Sequence, residues 1–257
     1  MITHPEKVLF PDDGITKGEL AAYYAAIAPV MLPHIVRRPV TMERYHRGIA
    51  EKGFFQKSVT KGFPEWLQRV EVPKHGGTVH HPLVTDTRSL LWMANQNCIT
   101  PHVWTSRVPA LDKPDLCVFD LDPADDEPGR LRATVLGLRN FLLELGLTSL
   151  VKTSGSKGFH VVVPLDGKTD VGEVAHFGHI VGVLLVITWY AVVAAFVALR
   201  LVPLAEASSR ITPPWAGVLL ALLLVAIWML ANRLRPELEA AVPARRPARR
   251  GGRASQG

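Results

Sequence analysis

Apolar positions follow helical spacing in two stretches of the first 177 residues. Lys17 to Leu32 predicts a helix, with Thr16 as its N-cap and an extended lead-in bracketed by Pro5 and Pro11. Leu131, Val135, Leu138 and Leu142 recur at steps of three and four and predict a helix over Arg130 to Leu145. Gly146 then supplies a residue suited to a left-handed C-terminal cap. Three shorter runs read as strands: Val118 to Leu121, interrupted by acids, and Leu150 to Lys152 and Phe159 to Pro164 around a glycine turn. Strand, helix, strand and hairpin in this order predict a mixed sheet domain of the α/β or α+β class. No internal repeat recurs at a fixed period.

The pattern changes near residue 178. Residues 180–199 and 211–232 carry no charged side chain. At 1.5 Å per residue each run is about as long as the 30 Å hydrocarbon core of a bilayer. The expectation is a transmembrane hairpin over 178–232, with a pair of buried core helices as the alternative. Residues 233–257 form a Pro/Ala/Arg/Gly-rich tail that reads as disordered and holds seven arginines. The positive-inside rule places that tail in the cytoplasm, and two spans return residues 1–177 to the same side. The expected location is therefore the cytoplasmic membrane.

Charge sharpens this division. Residues 1–177 carry 20 Lys+Arg against 20 Asp+Glu, so the whole formal charge of +6 lies beyond them. Nucleic-acid binding by the first part would need a local patch rather than bulk charge. A hydrophobic content of 48% excludes a disordered polar chain. Cys98 and Cys117, with no C-x-x-C pair, exclude a disulfide framework and a zinc ribbon, and read as two small buried hydrophobes. The N-terminus has no positive and apolar run of the secretory type.

Four segments carry candidate chemistry. In Val118-Phe-Asp-Leu-Asp-Pro123, Asp120 and Asp122 share one strand face while Phe119 and Leu121 share the other. Adjacent carboxylates suit Mg²⁺ or Mn²⁺, as two-metal nucleotidyl transfer requires; a solvated strand end is the alternative. In Thr153-Ser-Gly-Ser-Lys-Gly-Phe-His160, small residues, Lys157 and His160 could serve a phosphate, or simply form a hairpin turn. Phe54 and Phe55 beside Lys57 could offer a ring to a base, or two rings to the core. Lys7 and Lys17 flank the turn Pro11-Asp-Asp-Gly14.

These segments together resemble the N-terminal part of the polymerase domain of bacterial DNA ligase D, within the archaeo-eukaryotic primase-polymerase superfamily. The resemblance runs in order through Lys7-Val-Leu-Phe-Pro11, Thr16-Lys-Gly-Glu-Leu20 with Tyr23-Tyr24, Leu32-Pro-His34, and Arg38-Pro-Val40. It continues through Gly53-Phe-Phe-Gln-Lys57, His102-Val-Trp104, Asp112-Lys-Pro114, Phe119-Asp-Leu-Asp-Pro123 and Thr153-Ser-Gly-Ser-Lys-Gly158 with His160. It covers residues 1–177, about two-thirds of the chain. The resemblance implies that Asp120 and Asp122 bind the catalytic Mn²⁺ or Mg²⁺. It implies that His102, Ser154, Lys157 and His160 hold the incoming nucleotide, that Phe54 and Phe55 contact base or template, and that Lys7 and Lys17 hold a DNA 5′-phosphate. The implied reaction adds NTPs, and less readily dNTPs, to a primer 3′ end. The implied partners are gapped or 5′-phosphorylated DNA, a Ku-type end-binding protein and a separate ligase.

The pattern breaks off around residues 172–179. The family's third metal-binding aspartate, on a later strand, has no matching motif; only Asp166, Asp170 and Glu173 lie between the loop and the first apolar run. The two-metal site is expected to be incomplete and catalysis impaired. A noncatalytic, membrane-tethered module that binds DNA ends or nucleotide, and a gene-fusion remnant, are the competing expectations.

Overall fold

The computed structural model describes residues 2–60, 62–123, 128–155, 157–186, 229, 232–233 and 235–243. The chain divides into two compact units, Met1–Lys113 and Pro114–Gly257.

In the first unit a short ladder of β1 (Val8–Phe10) and β2 (Ile15–Thr16) leads into helix α1 (Lys17–Ile35). Thr16 caps α1 as expected and Glu19 answers it. The Thr16 hydroxyl accepts the Glu19 N–H at 3.3 Å, and the Glu19 carboxylate accepts the Thr16 N–H at 2.7 Å. The helix runs three residues beyond the expected Leu32. Its last carbonyls, which have no partner within the helix, are met from outside. Arg38 donates to the His34 carbonyl at 2.9 Å, and Arg107 donates to the Pro33 carbonyl at 3.0 Å and to the Val36 carbonyl.

Five strands and one helix follow that the hydrophobic pattern leaves unassigned: β3 (Val40–Arg44), β4 (Phe54–Gln56), β5 (Arg69–Lys74), β6 (Gly77–Pro82), α2 (Thr87–Asn95) and β7 (Cys98–Val103). β3 is the centre of an antiparallel sheet of order β4-β3-β7, and β5 and β6 form a separate hairpin. Alternation on β3 buries Val40 and Met42, which join Leu20, Tyr24, Ala28, Leu90 and Met93 in the core, and turns Glu43 to the other face. Cys98 is buried in the same core.

In the second unit β8 (Leu116–Leu121), helix α3 (Pro128–Glu144), β9 (Leu150–Thr153) and β10 (Phe159–Pro164) appear where the sequence places them. The three strands form an antiparallel sheet of order β8-β10-β9. α3 opens on a proline, whose missing N–H costs nothing at that position. It closes on Gly146 at φ +72°. The Gly146 N–H donates to the Leu143 carbonyl and the Leu147 N–H to the Leu142 carbonyl, both at 2.8 Å. Leu131, Val135, Leu138 and Leu142 are all buried, as their spacing predicts.

The region after residue 170 requires a correction. Residues 171–186 are helical. Asp170 starts this helix by accepting the Gly172 N–H on its side chain at 2.7 Å and the Val174 N–H on its carbonyl at 3.0 Å. Val174, Phe177, Ile180 and Val181 are buried with Leu138, Leu142, Val161 and Val163, and Leu184 and Leu185 pack against that cluster. The apolar run from Ile180 therefore begins as one side of a packed core. Among the described residues no helix is long and apolar enough to cross a membrane. The expected location in the cytoplasmic membrane is therefore not upheld, and the expected transmembrane hairpin and the membrane as a partner gain no support from the described residues. Residues 187–199, nearly all of 211–232 and the tail beyond 243 lie outside the described residues.

Docking of this helix is testable by stability. Phe177 is fully buried, so Phe177→Ala should cost about 3–5 kcal/mol in denaturant unfolding. A cost near zero would show that the helix does not pack on the sheet.

Candidate active site

The acid pair stands where strand alternation puts it. Asp120 and Asp122 are exposed, one on β8 and one just past its end, while Cys117, Phe119 and Leu121 face the core. β10 pairs with β8 so that His160 lies opposite Asp120, and its Nε2 sits 3.2 Å from the Asp120 carboxylate. Lys152 of β9 lies opposite His160, so this row carries acid, imidazole and ammonium across three strands. Among the described residues no group of three or more His, Cys, Asp or Glu side chains has metal-binding geometry. Two carboxylates remain a suitable donor set for a hard divalent cation, which often keeps water and substrate oxygens as its other ligands.

The turn between β9 and β10 closes on itself. The Ser154 hydroxyl accepts the Gly158 N–H at 3.0 Å, and the Ser154 N–H donates to the Gly158 carbonyl at 2.9 Å. The Gly158 amide is thus spent inside the turn, the Ser154 hydroxyl keeps its own proton to donate, and Lys157 is exposed. Gly158 is buried against Asp122. A Cβ there would stand 2.5 Å from an Asp122 carboxylate oxygen and 2.6 Å from the Leu121 carbonyl. Only glycine lets the Asp122 carboxylate lie on this turn, a close approach the sequence pattern does not disclose.

The first unit holds a second set of residues. Phe54 and Phe55 lie on β4 opposite Arg44 and Glu43 of β3, and His102 of β7 lies opposite Thr41. Phe55 is exposed and meets the His102 ring edge-on at 5.2 Å between centroids. Phe54 is less exposed. It packs on His46 at 4.9 Å, with the Arg44 guanidinium 5.4 Å from its centroid. Neither ring is a core residue, so the core alternative for this pair falls away. Glu43, which the sequence reading did not select, sits between these residues. One of its oxygens is 3.1 Å from His102 Nε2 and the other accepts the Tyr45 hydroxyl at 2.8 Å. Burial pushes the Glu43 carboxyl up, but the bonds from His102 and Tyr45, the His102 charge and a bond from Thr100 outweigh it, and the group lies below the usual carboxylate range.

Lys7 and Lys17 are brought together by the strand that separates them in sequence: the Lys17 N–H donates to the Lys7 carbonyl at 2.7 Å. Lys17 is buried, with its ammonium on the Thr3 hydroxyl at 3.2 Å, and Lys7 donates to the His46 carbonyl. Burial, then the charges of Lys7 and Arg44, lower the Lys17 pKa against the opposing effect of Glu6. Burial, Arg44 and Lys7 likewise lower that of His46. Cations crowded in this way gain from an anion that neutralises them. Arg44 and His46 join the expected lysines here, a proximity that only the folded sheet creates.

Comparison with known proteins bears on both sets. Residues 16–190 match the family pattern described as LigD, primase-polymerase domain. The multifunctional non-homologous end joining protein LigD of Mycolicibacterium smegmatis is 38% identical over 167 residues, covering 64% of this chain and 22% of that protein. The bifunctional LigD of Bacillus subtilis is 29% identical over 164 residues, covering 63% of this chain and 26% of that protein. The chain thus spans about a quarter of the length of these relatives. The polymerase domain of Mycobacterium tuberculosis ligase D, solved in complex with DNA, superposes with a TM-score of 0.62 at 32% identity, covering 80% of this chain and 69% of that domain.

The fit of Gly158 to Asp122 sets an expectation for metal binding. Gly158→Ala should weaken Mn²⁺ binding, measured by calorimetry or EPR, about 10-fold or more. Unchanged affinity would mean that the Asp122 position does not matter to the ion.

Proposed function

The chain belongs to the LigD primase-polymerase domain family, and on that premise we propose that it is a DNA-repair nucleotidyltransferase. It would extend a primer 3′ end with NTPs, and less readily with dNTPs, at gaps and breaks in non-homologous end joining. The observation that carries this reading is the two carboxylates at the end of β8, Asp120 beside His160 and Asp122 against the Ser154–Gly158 turn.

In this reading Asp120 and Asp122 hold Mn²⁺ or Mg²⁺. The bound ion supplies stabilisation of the charge that develops as the primer 3′ oxygen attacks the α-phosphate. His160 orients the Asp120 carboxylate and, with Ser154, Lys157 and His102, holds the incoming nucleotide. Lys157 suits the triphosphate because it is an exposed cation on a turn rich in small residues. Phe55 offers an exposed ring to a base, and Phe54 borders it on the same strand. Lys7 and Lys17, with Arg44 and His46 beside them, meet the 5′-phosphate of gapped or broken DNA. A Ku-type protein and a separate ligase complete the proposed partners.

Activity is proposed to be impaired. Two of the three acids that follow the turn have other work: Asp166 accepts the Lys168 N–H at 3.0 Å, and Asp170 caps a helix. In this reading none of Asp166, Asp170 and Glu173 supplies the third carboxylate of a two-metal site. A noncatalytic module that binds DNA ends or nucleotide through the same residues is the second reading, favoured by that same shortage of acids.

Primer extension by the full chain on gapped DNA, with Mn²⁺ and each NTP, separates the two. Catalysis predicts extension that falls about 100-fold or more in Asp120→Ala. In Lys17→Ala, extension of a 5′-phosphorylated gap should drop to that of an unphosphorylated one. No extension by a folded chain that binds DNA would overturn the catalytic reading and leave the binding module.

A further inference from the structure

On the sheet face that carries Phe55 and His102, one carboxylate is built into the hydrogen-bonding of the predicted nucleotide contacts. We propose that Glu43, anchored by Tyr45, is the positioning residue that fixes the His102 ring for a nucleotide. This inference rests on the reading of His102 as a nucleotide ligand.

The construction starts at Gly53. A Cβ at that position would lie 2.8 Å from the Tyr45 ring, so a residue without a side chain is what lets the ring pack there. Packed there, Tyr45 donates its hydroxyl to Glu43 at 2.8 Å. Burial, then the Glu43 bond and charge, raise its pKa to about 12, so it remains a donor across the physiological range. Glu43 is on the central strand β3, with Thr100 opposite it on β7 and Phe55 opposite it on β4. Its side chain is only 19% exposed, whereas that of His102 is 48% exposed. One oxygen is held by Tyr45, and the other faces His102 Nε2 at 3.1 Å.

A carboxylate at Nε2 keeps a proton on that nitrogen and selects the tautomer in which Nδ1 is the nitrogen left to a ligand. It also fixes the ring plane, and that plane meets Phe55 edge-on. Glu43 touches no substrate in this scheme. It acts through His102, and through His102 on the ring of Phe55. A half-exposed imidazole without this brace would sample several rotamers, and ordering it would then draw on nucleotide binding energy.

The test uses the full chain and two readouts. Long-range ¹H–¹⁵N spectra, with the His102 ring assigned by His102→Gln, report tautomer and order without nucleotide. NTP titration of gap filling, or equilibrium binding of a fluorescent NTP with Mn²⁺ where turnover is too slow, reports the nucleotide. Glu43→Ala should scramble the His102 ring signals and raise KM or Kd about 5- to 10-fold with kcat within about twofold. His102→Ala should cause a similar rise, and the double variant no more than either alone, because the two act as one unit. Glu43→Gln, which can keep its one acceptor oxygen for His102 Nε2 while its NH2 donates to the Tyr45 oxygen, should recover most of the affinity, and Tyr45→Phe should fall between. Unchanged His102 signals and affinity in Glu43→Ala, beside a weakened His102→Ala, would overturn the proposal while leaving His102 as a ligand. Scrambled ring signals with no change in affinity in either variant would overturn it through the other premise, since His102 would not then serve the nucleotide.

Discussion

Antiparallel pairing of β10 with β8 in a single register is the constraint on which the second unit depends. It sets Val161 beside Phe119 and Val163 beside Cys117 on one face, and His160 beside Asp120 on the other. Because side chains alternate with a period of two, core and acid site are two consequences of the same pairing. A slip of one residue would either drive Asp120 into the apolar cluster or expose Val161, depending on which strand moved. The cluster in turn needs α3 and the 171–186 helix, and both are held by their ends: Gly146 stops the first, and Asp170 starts the second. An acid that would otherwise be a candidate ligand is thereby committed to the fold.

The first unit uses the same alternation on β3 and adds buried charge. Met42 faces the core while Glu43 faces outward to His102. Arg38 is buried almost completely and Lys17 nearly so, an arrangement that is costly unless each finds partners. Arg38 meets the His34 and Trp104 carbonyls, which ties the end of α1 to the segment after β7. Lys17 has one hydroxyl and a crowd of other cations, so its environment favours neutralisation by an anion. The contrast is between a cation met by carbonyls and one crowded by like charge.

Local signals served the sequence reading well wherever a short segment carries its own instruction. Thr16 with Glu19, the leucine spacing of α3 with its glycine stop, and the alternating acids of β8 each settle their structure within a few residues. The region from Val40 to Val103 was not legible in this way, because its strands are short, half-polar and joined by pairings far apart in sequence. The long apolar run after residue 178 is marked in the sequence only by its length and lack of charge. Those two properties are shared by a membrane span and by a helix with a packed face, and the run's first residues belong to the second kind. Glu43 gave no sequence signal, since a lone glutamate on an unassigned strand is an ordinary surface residue until Tyr45 and His102 are folded against it.

The sequence by itself determined the family, the acid pair, the serine-glycine-lysine turn and the caps of α1 and α3. These depend on residue type and on neighbours within one turn or one strand. Tertiary structure alone decided that residues 174–185 pack in a core, that Gly158 yields its space to Asp122, that Lys7 and Lys17 share their surroundings with Arg44 and His46, and that Glu43 holds His102. The physical reason is common to all four. Burial, close approach and charge pairing are properties of groups that meet through the fold, and no local pattern along the chain encodes which groups those will be.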